Sequence, residues 1–266
     1  MTAVSDSSSR KRPAPDPSST PMIEVVDLHK TFGTTKVLTG INLKVPAGST
    51  CVILGGSGSG KTVLMKHMIG LLKPDSGKVI IDGQDIVPMG VRELQEVRNK
   101  FGMVFQAAAL FDSMTVFENV AFPLREHTKD SEDVIRQKVR ARLDLMGLKP
   151  AVEAKFPSDL SGGMRKRVGL ARATILGPKI VLYDEPTTGL DPITTDYVDE
   201  MILAAQEGLG VTSVVISHDI ASAFNVADQI AFLSKGVIVE NGPPEQVRES
   251  EHPAVKVFLQ TWFGKN

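Results

Sequence analysis

From Ile23 onward, short apolar runs alternate with polar and glycine-rich breaks, and the period of the apolar positions changes along the chain. Ile23–Leu28, Ile41–Val45 and Lys78–Ile81 read as strands, the last closed by the turn formers Asp82-Gly83. Further short runs, Cys51–Leu54, Met103–Phe105, Ile180–Tyr183, Thr212–Ile216 and Ile230–Leu233, are separated by helical patterns. That order predicts an α/β core of parallel strands joined by crossovers. After Gly60, Leu64, Met65, Met68, Ile69 and Leu72 recur at helical spacing, and this helix is expected to run on until Pro74. Between about Phe111 and Asp159 no strand pattern occurs. Within that block Ser131 reads as an N-cap followed by acidic Glu132 and Asp133. Val134, Ile135, Val139, Leu143 and Met146 then form one face, and Gly147 ends the helix. A mostly helical insert therefore interrupts the α/β core.

Composition narrows the classes. The 266 residues carry 30 Lys+Arg against 31 Asp+Glu, a formal charge of −1, which argues against a nucleic-acid partner bound through bulk electrostatics. One cysteine, Cys51, leaves no intrachain disulfide and no multi-cysteine metal site. No uncharged apolar run approaches the roughly 20 residues that span a bilayer, so a soluble protein is expected. Residues 1–21 are rich in Ser and Pro, with the basic cluster Arg10, Lys11, Arg12 and no apolar targeting segment. They read as a disordered tail.

Gly55-Gly56-Ser57-Gly58-Ser59-Gly60-Lys61-Thr62 matches G-x-x-x-x-G-K-[ST] between an apolar strand and a helix, the context that motif requires. Glycines let the backbone curl so that successive N–H groups and a helix N-terminus face phosphate oxygens. Lys61 would reach the β- and γ-phosphates, and the Thr62 hydroxyl would ligate Mg²⁺. A dinucleotide fingerprint is excluded, because position 63 is Val63 rather than glycine. Ile180–Tyr183 leads into Asp184-Glu185. At the end of a parallel strand such a pair opens into the ligand crevice, where Asp184 can hold Mg²⁺ and Glu185 can polarise a water.

Leu160-Ser161-Gly162-Gly163-Met164 precedes a helix with apolar Met164, Val168, Ala171 and Ile175 on one stripe, ending at Gly177-Pro178. A serine and two glycines at a helix start form a second anion site. One nucleotide needs one such cradle, so two suggest a composite site. Together with the preceding motifs this run, from about Ile23 to Pro243, resembles the ATP-binding subunit of ABC transporters. The resemblance implies a P-loop NTPase fold with a RecA-like parallel-sheet core, an N-terminal antiparallel β subdomain and an inserted helical subdomain at about 107–165. It places the ATP-binding domain at 22–243 and leaves 244–266 as a C-terminal helical extension. It assigns Phe32 to adenine stacking, Gln106 to the catalytic site and to Mg²⁺, Asp191 to the subunit contact and His218 to the γ-phosphate. It also implies a homodimer in which Ser161–Gly163 of one copy cover the ATP on Lys61 of the other. The basic run Arg165, Lys166, Arg167 reads as a solvated helix face.

Phe105-Gln106 through Leu124, and Leu160 through Ala173, resemble more narrowly the subgroup serving MCE-type phospholipid transporters, the Mla and Ttg2 systems. That subgroup implies a membrane permease, an MCE-domain substrate-binding protein and, in some relatives, a STAS-domain accessory subunit. The location implied is the cytoplasmic face of the inner membrane. The subgroup pattern expects a small or polar residue followed by glycine at 107–108, where this chain has Ala107-Ala108. Rival readings are a small-solute importer ATPase, a non-transport ABC ATPase and a nucleotide-binding regulator that does not hydrolyse. After Pro253, Ala254, Val257, Phe258, Thr261 and Trp262 recur at helical spacing. This face is expected to cover either the chain's own core or a partner.

Overall fold

The computed structural model describes residues 20–105 and 108–263, with side chains through 260. Gln106, Arg10, Lys11, Arg12 and the side chains of Thr261 and Trp262 lie outside the described residues. A four-stranded antiparallel sheet takes β1 (Pro21–Phe32), β2 (Thr35–Pro46), β4 (Ser76–Ile81) and β5 (Gln84–Asp85) in the order β2-β1-β4-β5. The second sheet holds β3 (Thr50–Leu54), β6 (Phe101–Phe105), β7 (Ile180–Asp184), β8 (Thr212–Ser217), β9 (Gln229–Ser234) and β10 (Val237–Gly242). Its order is β10-β9-β3-β8-β7-β6, and every pairing is parallel except β9 with β10.

All residues of β3 and β8 are buried, as expected of parallel strands covered on both faces. Alternation then sorts their side chains into two cores. Cys51, Ile53, Leu182 and Val214 face the antiparallel sheet and helix α1 (Lys61–Met68), together with Ile23, Val25, Leu43, Leu64 and Met68. Val52, Leu54, Val181, Tyr183 and Val215 face the other helices. Burial pushes the Cys51 thiol up to about 12, so it is a core residue without thiolate chemistry.

Helix α2 (Val91–Arg98) lies beside the first core through Val97. The described residues between β6 and β7 contain no strand, only α3 (Val116–His127), α4 (Glu132–Leu145), α5 (Gly162–Thr174) and two short 3₁₀ turns. A capping box starts α3: Thr115 Oγ1 accepts from the Glu118 N–H, and Glu118 Oε2 accepts from the Thr115 N–H at 2.7 Å. Ser131 does stand at the N-cap of α4 but makes no side-chain cap bond, and Glu132 pairs with Arg125 instead. The chain returns to the sheet through α6 (Pro192–Leu209) and α7 (Ile220–Val226), then ends in α8 (Pro244–Arg248) and α9 (Pro253–Phe263).

Two expectations are corrected, and one strand, β10, is not anticipated by the sequence. Helix α1 stops at Met68, well before Pro74, because Gly70 turns left-handed at φ +63° and its N–H closes on the His67 carbonyl. Strand β10 follows a tight Lys235-Gly236 turn, both residues left-handed, where a Cβ on Gly236 would collide with the Val37 carbonyl of β2. On α9 Ala254 and Phe258 pack against the core as the spacing suggests, joined by the buried Val255 and Leu259, while Val257 is 64% exposed. Val257 alone among the described residues of the expected stripe points to solvent.

Candidate active site

The register of the parallel sheet aligns its strand ends. Phe105 pairs with Asp184, Asp184 with Ile216, and Leu54 with Ser217. The phosphate loop after β3, Glu185 after β7 and His218 after β8 therefore leave the sheet at one edge, the position at which a parallel sheet opens to ligands.

The loop contains two kinds of glycine. A Cβ on Gly55 would collide with the Leu233 carbonyl, and one on Gly60 would lie 2.8 Å from Leu38 Cδ2, so packing fixes both ends. A Cβ on Gly56 or Gly58 meets nothing within 4 Å, and Gly58 has φ +73°. Side chains there would fill the open cradle. Helix α1 starts without a side-chain cap and without an acid in its first turn, leaving its N–H groups for an anion. Lys61, 7% exposed, donates to the carbonyls of Gly55 at 2.8 Å and Gly56 at 3.1 Å, and its Nζ is 3.6 Å from Glu185 Oε1. Ser59 Oγ is buried without a partner, an orphan that a phosphate oxygen would satisfy. These features fit a nucleotide polyphosphate.

Strand alternation alone would aim Asp184 and Glu185 to opposite faces. Glu185 lies beyond β7 in the left-handed region, φ +49°, at a cost of about 1–2 kcal/mol for a non-glycine residue. Its N–H still donates to the Ile216 carbonyl at 2.9 Å. The turn brings its carboxylate to the cradle, where Oε2 accepts from Thr188 Oγ1 at 3.0 Å and lies 2.7 Å from His218 Nδ1. Burial first, and the Glu185 charge second, push the Asp184 carboxyl above its ordinary pKa. A cation would reverse that, so the Thr62 hydroxyl with the Asp184 carboxylate is a donor set that fits Mg²⁺.

The resulting pocket, about 630 Å³, is lined by residues 56–63, Glu185, Thr188 and His218, with Val37 and Phe258 on its walls. Phe32 stands outside these walls, half-exposed, with Lys30 Nζ 5.5 Å from its ring centre. Ser161, Gly162, Gly163 and Asp191 do not line the pocket of their own chain. Ser161 caps α5, its Oγ accepting from the Met164 N–H at 3.3 Å. Asp191 caps α6, accepting from the Thr194 N–H and hydroxyl at 3.1 and 2.6 Å, which holds its carboxyl below the usual range.

The solvated-face expectation fails at Lys166. This side chain is buried, donates to the Pro186 carbonyl next to Glu185, and has its pKa lowered to about 8 by burial. Arg165 caps back onto the Leu160 carbonyl at 2.6 Å. Sequence reasoning missed the roles of Thr188 and Phe258. Nothing in the sequence links Thr188 to Glu185, whereas the aromatic face of α9 did signal that Phe258 covers something.

The sequence model described as ABC transporter matches residues 38–188. The chain belongs to the ABC transporter family. It is an ATP-binding, ATP-hydrolysing transporter subunit. It is 45% identical over 237 residues to the probable ribonucleotide transport ATP-binding protein mkl of Mycobacterium leprae, covering 89% of this chain and 68% of the relative. It thus spans about two thirds of the length of the mycobacterial relatives. It is 42% identical over 239 residues to the intermembrane phospholipid transport system ATP-binding protein MlaF of Haemophilus influenzae, covering 90% of each. Among solved structures, cbiO1 from Clostridium perfringens, part of the cbiONQ transporter complex, superposes with TM-score 0.81 at 29% identity, covering 92% of this chain and 96% of that one. The ATP-binding cassette MJ0796, a dimer bound to ADP and Pi, superposes at 0.74 with 31% identity, covering 84% and 99%. Among the described residues no helix is long and apolar enough to cross a membrane.

Proposed function

We propose that two copies of this chain pair head to tail around two ATP–Mg²⁺ and drive a membrane permease that moves phospholipid between bacterial membranes. The observation that carries the dimer is the separation of the two anion-binding helix starts. The phosphate cradle at α1 is lined by no group from α5, and Ser161, Gly162 and Gly163 at the start of α5 are absent from that lining. In the pair, Ser161–Gly163 of one copy close over the terminal phosphate held at Lys61 of the other, and Asp191 lies at the contact. Lys61 leaves the Gly55 and Gly56 carbonyls for the phosphates. Thr62 and Asp184, with Gln106, would hold Mg²⁺, which would supply charge neutralisation to the phosphates. Glu185 orients the attacking water and takes up its proton, and His218 keeps the Glu185 carboxylate in place and contacts the γ-phosphate. Phe32 stacks on the adenine.

The MlaF relatives, aligned over about nine-tenths of both chains, support phospholipid as cargo. The expected partners are a permease and an MCE-domain protein, joined in some relatives by a STAS-domain subunit, with the ATPase peripheral on the cytoplasmic face. A second reading, ribonucleotide transport, rests on the name of the mycobacterial relatives. Reconstituted complex that moves labelled phospholipid and not labelled ribonucleotide supports the first; the reverse result replaces it. Glu185→Gln tests the catalytic core. ATP binding persists, turnover falls by at least about a hundredfold, and dimers accumulate in sedimentation. Monomers at saturating ATP–Mg²⁺ would overturn the composite site.

A further inference from the structure

A second cavity, about 400 Å³, lies in the helical insert between α3, α4 and the turn after α5. Leu124 and Ile175 are buried in its walls, and Leu145 and Leu176 are exposed. Two cations also line it. Lys138 is already committed, its Nζ 2.6 Å from Asp130 Oδ2. Arg142 is not. It has no side-chain hydrogen bond or ion pair among the described residues, and its Nη1 is shut off from water without an acceptor. Burial alone lowers its pKa. A partly desolvated guanidinium without a counter-charge is costly, and an anion in the cavity would supply one.

The walls set the rest of the ligand. They are aliphatic, and the volume sits at the lower end of small-ligand pockets, which suits one alkyl chain rather than two. We propose that this cavity binds a single-chain amphiphile with an oxyanion head, a carboxylate or monoalkyl phosphate, whose head pairs with Arg142 and whose chain lies over Leu145 and Leu176. The site stands at the C-terminal end of α5, the helix that opens with Ser161 at its other end, and the proposal is independent of the nucleotide chemistry.

Titration calorimetry on the full-length chain, below the micelle concentration, tests it. Decanoate or decyl phosphate binds saturably at one site, and the tighter of the two names the head. Decanol and acetate each bind at least tenfold more weakly, and shortening the chain weakens binding by about fourfold per methylene. Arg142→Gln reduces decanoate affinity at least tenfold. Leu145→Asp, at an exposed position that does not threaten the fold, does the same by opposing the anion. Absence of saturable binding by either amphiphile, or equal binding by wild type and both variants, overturns the proposal whatever the ATPase activity. An acidic peptide that binds through Arg142 when the amphiphiles do not would also overturn it, in favour of a protein partner.

Discussion

Helices α1 and α5 both begin with glycine-rich segments and without an acid in the first turn, yet they are built differently. At α1 the N-cap Gly60 is left-handed, no side chain caps the helix, and Lys61 is drawn into the loop. At α5 Ser161 satisfies one of the helix's own N–H groups, and that helix's buried cation, Lys166, is turned to the Pro186 carbonyl. In the proposed reading the first is a polyphosphate site within one chain, and the second is an anion-binding surface completed by the partner copy's phosphate. On that reading one chain binds nucleotide and turnover requires two.

Substitutions can break that contrast at either end. Lys61→Ala has the largest expected effect. It removes the main cation of the first site, weakens ATP binding by about 10- to 100-fold and lowers turnover by at least about a hundredfold, read by nucleotide titration and phosphate release. Near-normal hydrolysis would reject the assignment of the phosphate loop. Ser161→Asp keeps a good N-cap but places a carboxylate where the partner's terminal phosphate would arrive. Turnover and ATP-driven dimerisation should fall at least about tenfold, while ATP binding by the isolated chain stays at the wild-type level. Should ATP binding drop as it does in Lys61→Ala, the two helix starts would belong to one site.

Legibility follows the same division. The phosphate loop and the all-apolar central strands could be read directly, because sterics and full burial leave few residue types that fit. The helical insert was legible from the loss of strand alternation after Phe111. What could not be read depends on neighbours distant in sequence. The turn that aims Glu185 inward is a left-handed residue with no local glycine signal. Gly236 at the β9–β10 turn answers to the Val37 carbonyl of β2. That α9 buries Val255 rather than Val257 depends on the surface beneath it. Ala108 is a related case. The subgroup pattern calls for glycine at that position, and the residue is left-handed at φ +60° and packed against Gly169, with Arg172 Nη2 donating to its carbonyl at 3.1 Å.

Lys166 sharpens the contrast with the smallest expected effect on turnover, because it ties the helix that opens with Ser161 to the turn that carries Glu185. It rises from α5 to the Pro186 carbonyl, one residue beyond Glu185. With its pKa lowered from 10.5 to about 8, the folded chain releases this proton at lower pH than the unfolded chain does. Stability therefore rises with pH between about 8 and 10.5, and below pH 8 the native state carries the whole penalty, on the order of 3 kcal/mol. Lys166→Met keeps the length and removes the charge. In urea unfolding it should be more stable than wild type at pH 7, and the advantage should shrink as pH approaches 10. Turnover of the dimer should fall only a few-fold, since Glu185 keeps Thr188 and His218 while Pro186 loses its donor. A variant less stable than wild type at both pH values would mean that the bond to Pro186 outweighs desolvation, making Lys166 a structural tie between the two regions.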